Sequence, residues 1–349
     1  MRSVIVSIGN ALQVLEHFTG EVFDQNDYSV FDISLNEFQQ NSVDIRNYRK
    51  LICALTFCGG KYPDLDLSKF DVVVVLDEEA INDNSQDYLS TLRAKFNNQN
   101  IVIVCGGYHK HYEPDSGTVY VYPYFLQSIL KYNTPRSVDS INNYQKTFDV
   151  LLGGTKRHRK FLFDRLGQHS MLDACYVNLT TVETKATIYR SAELYTIDET
   201  KVEQGFNSYV QLESGAKLSQ MVPWNIYQNS LYSLITETNF ENYSFFSEKT
   251  AKALYAQRPF VFFGAQGQLA DLKRLGFRTF DTVINEAYDS VADPTERFTQ
   301  AFEQVKWLFD QNHLSLYQRL QPILEHNCAH IQNRKHFLEP LKKWLYQHC

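Results

Sequence analysis

Short apolar runs alternate with amphipathic segments over the first third of the chain. Such a run predicts a buried strand when its residues are β-prone and turn residues follow it. The predicted strands lie at residues 4–8, 71–76, 101–105 and 119–122. Residues 51–57 fit either a strand or a buried helix, because apolar runs this short do not separate the two. Amphipathic patterns predict helices at residues 11–18 and 85–97.

The same alternation resumes after a polar stretch at residues 133–147, which we interpret as a linker between domains. The strands predicted beyond it lie at residues 148–152, 176–178, 231–236, 260–263 and 277–280. The helices predicted there lie at residues 156–166, 247–256, 269–275, 295–309, 314–328 and 336–346. Residues 180–220 follow no clear pattern.

Strands that alternate with helices indicate parallel sheets covered by helices. We therefore predict an α/β fold with two Rossmann-like domains and a C-terminal helical tail. The expected boundaries are an N-terminal domain at 1–132, a second domain at 148–333 and a final helix at 334–349. A chain of 349 residues is long enough for two such cores.

Composition narrows the class of protein. Hydrophobic residues make up 44% and charged residues 21%, which is typical of a folded globular chain. A net charge of −6 argues against a broad polybasic surface. No apolar run is as long as a membrane span, and the first run leads into a turn at Gly9 rather than resembling a signal peptide. Six scattered cysteines without metal-ligand spacing suggest free thiols in a reducing cytoplasm.

The candidate chemistry centres on the helix predicted after Ser247. Ser247 is a good N-cap residue, and Glu248, Lys249 and Thr250 follow in the first turn. The helix comes after a buried strand, and ligands of parallel sheets lie beyond the carboxyl ends of the strands. A helix N-terminus favours an anion, and Lys249 adds a cation there. The Glu248 carboxylate can accept hydrogen bonds from ribose or sugar hydroxyls.

A second phosphate-type pattern follows the first strand of the second domain. The turn at Gly153 and Gly154 leads into a helix whose first turn is basic. Arg157 and Arg159 are the candidates here, because a guanidinium group can bind two phosphate oxygens at once. The residues alone do not choose between the two arginines.

The segment from Ser247 to Thr250, followed by Lys252-Ala253 and by the run Arg258-Pro259-Phe260-Val261, resembles the donor-binding signature of glycosyltransferases related to the α1,3-fucosyltransferases. It is most similar to fucosyltransferase-like proteins of large bacteriophages and marine bacteria. The family also has a Phe-Glu-Asn segment before its Glu-Lys pair. Here Phe240-Glu241-Asn242 lies two residues closer to that pair than in the family, and Glu237 is the alternative for the same place.

The resemblance implies the two-domain architecture called GT-B, with the last helix crossing back onto the first domain. It also implies that a basic residue near Arg157 or Arg159 contacts the donor phosphates. No cofactor is expected, because a nucleotide-diphosphate sugar is the co-substrate. No metal site is expected either: Asp64 and Asp66 have the spacing of a metal motif but lie in a loop before a strand.

An inverting sugar transfer needs a general base from the first domain. Asp77 and Glu78 follow a buried strand at the edge where sites collect, and they are the candidates. His109 and His111 follow the next strand and remain alternatives.

The sequence therefore predicts an inverting, metal-independent glycosyltransferase that acts as a monomer or homodimer on a UDP- or GDP-type donor. The acceptor is a glycan, a lipid-linked saccharide, or a hydroxymethylated base in phage DNA, which would make the reaction a DNA modification. The alternatives are a non-catalytic module that binds a nucleotide sugar or glycan, and a sugar epimerase of the same architecture.

Overall fold

The computed structural model describes most of the chain. The described residues are 3–8, 28–30, 50–55, 64–77, 88–110, 117–131, 133–134, 140–154, 156–180, 202–204, 211–212, 221–241 and 243–348. The helix predicted at 11–18 lies outside these ranges. Two compact units emerge: Met1–Tyr124 with Asn333–Cys349, and Phe125–Gln332. No helix within the described ranges is long and apolar enough to span a bilayer.

The first unit contains a parallel sheet of six strands. Its elements are β1 (Ser3–Ile8), β2 (Tyr28–Val30), β3 (Lys50–Leu55), β4 (Val72–Asp77), α1 (Tyr88–Lys95), β5 (Ile101–Cys105), β6 (Gly107–His109) and β7 (Val119–Val121). The strand order is β2-β1-β3-β4-β5-β7, and every neighbouring pair is parallel. Residues 51–55 of the ambiguous run at 51–57 therefore form a strand, because β3 pairs along its whole length with β1 and β4.

The second unit contains a parallel sheet of four strands. The first helices and strands after β7, in chain order, are α2 (Tyr124–Ser128), α3 (Ser140–Asn143), β8 (Lys146–Gly154), α4 (Arg157–Gln168), β9 (Cys175–Thr180), β10 (Val202–Gln204), β11 (Gln211–Leu212), α5 (Trp224–Gln228) and β12 (Ser230–Thr236). The following elements are β13 (Tyr243–Phe245), α6 (Glu248–Tyr255), β14 (Phe260–Phe263), α7 (Gln268–Arg274), α8 (Pro294–Phe309) and α9 (His313–Gln332). The last helix, α10 (Arg334–His348), belongs to the first unit, where Trp344 lies 5.4 Å from the ring of Tyr120.

In the second sheet, the direction in which the chain adds strands reverses at the centre. Its strands run β14-β12-β8-β9, all parallel. The chain passes from β8 outward to β9, then returns to the other side of β8 with β12 and β14. In open parallel sheets, ligands bind at the carboxyl ends of the two strands between which the direction of winding reverses. In this unit those strands are β8 and β12.

Most predicted elements of the second unit are confirmed, and one strand is wrong. Residues 277–280, predicted as a strand, form an irregular segment after α7. The Asn327 side chain of α9 bonds both the amide and the carbonyl of Arg278, at 2.8 Å each. The Phe280 amide donates to Glu286 at 2.7 Å. Because side chains bond these backbone groups, the groups are not available for pairing with a neighbouring strand.

The helix α7 ends as its sequence predicts. Gly276 follows the last turn with φ of 91°, a left-handed conformation that side chains rarely adopt. A Cβ atom at this position would also lie 2.7 Å from Nε2 of His330. Both constraints require glycine.

A buried ion pair joins the amino-terminal halves of three neighbouring strands. The Arg258 guanidinium, just before β14, donates to the Asp149 carboxylate of β8 at 2.7 Å. The hydroxyls of Ser230 and Ser233 on β12 donate to the same carboxylate oxygen at 3.2 and 2.9 Å. Arg258 also donates to the carbonyl of Tyr227 at 2.9 Å and lies over its ring. Both charged side chains are almost fully buried.

We expect Arg258→Met to lower the free energy of unfolding by about 3–5 kcal/mol, because it leaves a buried carboxylate without its partner. Burial raises the pKa of Asp149, and Arg258 acts against that shift. The double variant Arg258→Met with Asp149→Asn should therefore recover part of the loss. Urea unfolding measures both.

The exposed pair formed by Lys273 and Asp281 at 2.7 Å supplies the control. Lys273→Met should cost less than about 1 kcal/mol, since exposed pairs contribute little. An Arg258→Met variant as stable as this control would contradict the structural role of the buried pair.

Candidate functional site

The carboxyl ends of β8 and β12 meet the starts of two helices. β8 ends at Gly153 and Gly154, and Gly153 has φ of 66°, which favours glycine and lets the chain turn sharply. Helix α4 then begins at Arg157. β12 runs into Glu237, and α6 begins shortly after with its cap at Ser247.

Two exposed cations open α4 and reach toward neighbouring loops. The Lys156 ammonium donates to the carbonyl of Thr238, just after β12, at 2.9 Å. The Arg157 guanidinium donates to the hydroxyl of Thr295 in the first turn of α8 at 3.3 Å. Both side chains are solvent-accessible, so each can exchange a weak neutral partner for an anion.

The next two basic residues of α4 are buried. The Arg159 guanidinium donates to the carbonyl of Gly154 at 3.0 Å and supports the glycine turn from below. His158 is fully buried, and its Nε2 lies 2.7 Å from the carbonyl of Glu237. A carbonyl only accepts, so Nε2 carries the hydrogen. The ring also lies 4.6 Å from that of Phe240.

His158 is held in its neutral form. Burial lowers its pKa to about 3, and the cations of Arg159, Lys156 and Lys249 act in the same direction, against the hydrogen bond to Glu237. His158 of α4 and the Ser247 amide at the start of α6 both bond Glu237, so the two helix starts lie close together. His158 therefore contributes a hydrogen bond to this cluster without adding a charge.

Helix α6 begins as the sequence predicts. The Ser247 hydroxyl accepts a hydrogen bond from the Lys249 amide at 3.3 Å, which is the predicted cap. The Lys249 ammonium lies 3.0 Å from the Glu248 carboxylate, and both side chains are about one-fifth exposed. Burial acts against ionisation of Glu248, but the Lys249 and Lys252 cations outweigh it and lower the pKa of Glu248. Burial lowers the pKa of Lys252 to about 7.

Glu237 ties these parts together. Its side chain is fully buried, and Oε1 accepts the Ser247 amide at 3.0 Å and the Thr250 hydroxyl. Its other oxygen accepts the amide of Thr238 at 3.2 Å. The Glu237 carboxylate, the second candidate beside Glu248 for ribose or sugar hydroxyls, is thus used within the protein, and so is the Thr250 hydroxyl.

A buried arginine that the sequence did not single out organises the same edge of the sheet. The Arg297 guanidinium of α8 donates to the carbonyls of Gly264 after β14, at 3.0 Å, and of Phe240 after β12, at 2.8 Å. It also donates to Val291 and Ala292, at 2.6 and 3.1 Å. Three separate loops are therefore held by one side chain. Nothing in the local pattern of α8 signals this role.

The helix after β14 has its N-terminus occupied by the protein itself. Both oxygens of Asp289 accept amides in the first turn of α7, from Leu269 at 3.0 Å and Ala270 at 3.1 Å. The turn after β14 is therefore not open to an external anion, and the starts of α4 and α6 are the relevant ones.

The structure brings eight of the predicted site residues into this region: Gly154, Arg157, Arg159, Glu237, Ser247, Glu248, Lys249 and Thr250. The predicted bases belong to the first unit. Asp77 is the last residue of β4, in register with Leu55 and Cys105, and Glu78 lies outside the described residues. His109 is buried in β6, and His111 is outside the described ranges.

The aspartates with metal-motif spacing are engaged in a surface loop. Asp64 pairs with Lys95 at 2.8 Å, and Asp66 accepts from Asn97 at 2.9 Å. Across the residues that the structure describes, no group of three His, Cys, Asp or Glu side chains is arranged to hold a metal ion.

No protein-family model, curated protein or solved structure matches the chain. The case for function therefore depends on the geometry described above and on the sequence resemblance.

We expect the buried neutral state of His158 to make the protein less stable as the pH falls. Below a pKa of about 6.5 the unfolded chain takes up a proton that the folded chain does not. With a folded pKa of about 3, the loss between pH 7 and pH 5 is about 2 kcal/mol. His158→Gln, which keeps a donor, should lack this part of the pH dependence in urea unfolding.

His169 at the end of the same helix is exposed, so His169→Gln should keep the wild-type pH profile. If His158→Gln and His169→Gln show the same profile, the burial of a neutral His158 is wrong.

Proposed function

We propose that the chain is an inverting, metal-independent glycosyltransferase of GT-B architecture that uses a nucleotide-diphosphate sugar. The observation that carries the proposal is the pairing of two helix starts with basic residues, those of α4 and α6, at the point where the winding of the second sheet reverses. Helix N-termini and cations together suit a diphosphate. The fucosyltransferase-like pattern around Glu248 and Lys249 falls on one of these helix starts.

The accessible cations are the groups available for the phosphates. Arg157 is exposed, whereas Arg159 is buried against Gly154, so we assign the phosphate contact to Arg157 together with Lys249. A guanidinium group and an ammonium group on the leaving diphosphate stabilise its developing charge without requiring a divalent ion. Ser247 caps the helix whose first turn contains Lys249.

Glu248 is the group suited to the hydroxyls of the ribose or sugar. Its pKa is lowered by Lys249 and Lys252 against the effect of burial, so it is a carboxylate at neutral pH. An ionised carboxylate accepts hydrogen bonds at both oxygens.

The first unit supplies the general base in this proposal, with Asp77 or Glu78 accepting the proton of the acceptor hydroxyl. The acceptor is a glycan or lipid-linked saccharide, or a hydroxymethylated base in phage DNA. The net charge of −6 favours the saccharides, because DNA binding depends on phosphate-contacting cations.

We expect Lys249→Ala and Arg157→Ala each to weaken binding of UDP or GDP, whichever the wild type binds, by about ten- to a hundredfold. This corresponds to the loss of one charge-assisted hydrogen bond, about 1.5–3 kcal/mol. Isothermal titration measures the affinity, and release of free nucleotide from the sugar donor measures turnover.

Lys160→Ala is the matched control. Lys160 lies on α4 one turn beyond the site, is exposed, and pairs with Asp164 at 2.7 Å. The Lys160→Ala variant should bind the donor and turn it over like the wild type. A Lys249→Ala variant that hydrolyses or transfers from the donor at the wild-type rate would refute the assigned role. Tight binding without turnover on any acceptor would favour a binding module instead.

A further inference from the structure

We infer that Glu237 is a positioning residue that sets the spacing between the starts of α4 and α6, so that the site grips two adjacent phosphoryl groups at once. This inference rests on the proposed function. It gives Glu237 a role other than direct contact with the sugar and assigns to it the preference of the site for diphosphates over monophosphates.

The side chain of Glu237 holds the start of α6. One carboxylate oxygen accepts both the Ser247 amide at 3.0 Å and the Thr250 hydroxyl. These two donors come from the cap and the first turn of the helix that carries Lys249. With Glu237 and Thr250 both fully buried, water does not substitute for these bonds.

The backbone of Glu237 is held by α4. The Nε2–H group of His158 donates to its carbonyl at 2.7 Å. Glu237 thus contacts α4 through its main chain and α6 through its carboxylate. Because one residue makes both contacts, the distance between the two helix starts depends in part on the length and acceptor capacity of its side chain.

A ligand with two neighbouring phosphoryl groups uses both helix starts, whereas a monophosphate engages only one at a time. The gain in affinity from a second contact depends on pre-set geometry. In catalysis, a misplacement of about 1 Å costs up to a hundredfold in rate. Loosening α6 relative to α4 should therefore penalise the diphosphate much more than the monophosphate. A residue needed only for folding would affect both ligands to the same degree.

The test compares UDP with UMP, or GDP with GMP, on the full-length chain by isothermal titration. Glu237→Gln keeps the size of the side chain but removes one acceptor oxygen, and Thr250→Val removes the donor hydroxyl at constant shape. We expect each variant to bind the diphosphate on the order of ten- to a hundredfold more weakly, with the monophosphate affinity changed by less than about threefold. Thr250→Ser keeps a hydroxyl and should restore the wild-type preference.

The outcomes separate this inference from the proposed function. If the wild type binds a diphosphate in a Lys249-dependent way but Glu237→Gln and Thr250→Val keep its preference, the positioning role is refuted and the proposed function stands. Equal losses for both ligands also refute it. If the wild type binds neither nucleotide, the proposed function falls and this inference with it. If Glu237→Gln does not fold, the preference for diphosphate over monophosphate in Thr250→Val, compared with that in Thr250→Ser, still tests the positioning role.

Discussion

The second unit depends on a buried ion pair between Arg258 and Asp149. A parallel sheet that is covered on both faces has an apolar interior, and placing two charges there is costly unless each finds full hydrogen bonding. Here the hydroxyls of Ser230 and Ser233 bond Asp149 and the carbonyl of Tyr227 accepts from Arg258, while the buried Nε of Arg258 has no hydrogen-bond partner among the described residues. The pair also restricts how the strands can pair, because it requires β8, β12 and the chain before β14 to stand in one register.

The opposite edge of that sheet is built on the same principle. Arg297 binds the carbonyls of the loops after β12 and β14, and Glu237 binds the start of α6. Buried polar groups of this kind are retained only where several bonds satisfy them. Together they give rigid support to a surface on which Arg157, Glu248 and Lys249 remain accessible. The buried Arg297 and Glu237 support the site from the protein interior, and the accessible side chains can exchange their partners for a ligand.

Local signals in the sequence were reliable where structure is decided locally. The cap at Ser247, the end of α7 at Gly276 and the apolar runs of β4, β5, β12 and β14 were all predicted, because each depends on neighbouring residues only. The strand at 277–280 failed because Asn327, distant in sequence, bonds the backbone of Arg278. The strand β13 is not predicted for a different reason: it has only three residues, which is too short to show a periodic pattern.

The amino-acid sequence by itself determined the class of fold and the two helix starts where basic residues follow a strand. These depend on periodicity, capping and turn chemistry, all of which act over a few residues. Only the tertiary structure decided which of those residues face outward. Arg157 and Arg159 look alike in sequence, yet one is exposed and the other supports Gly154. Glu237 and Glu248 also differ in burial: Glu237 is fully buried and bonds the start of α6, whereas Glu248 is partly open to solvent.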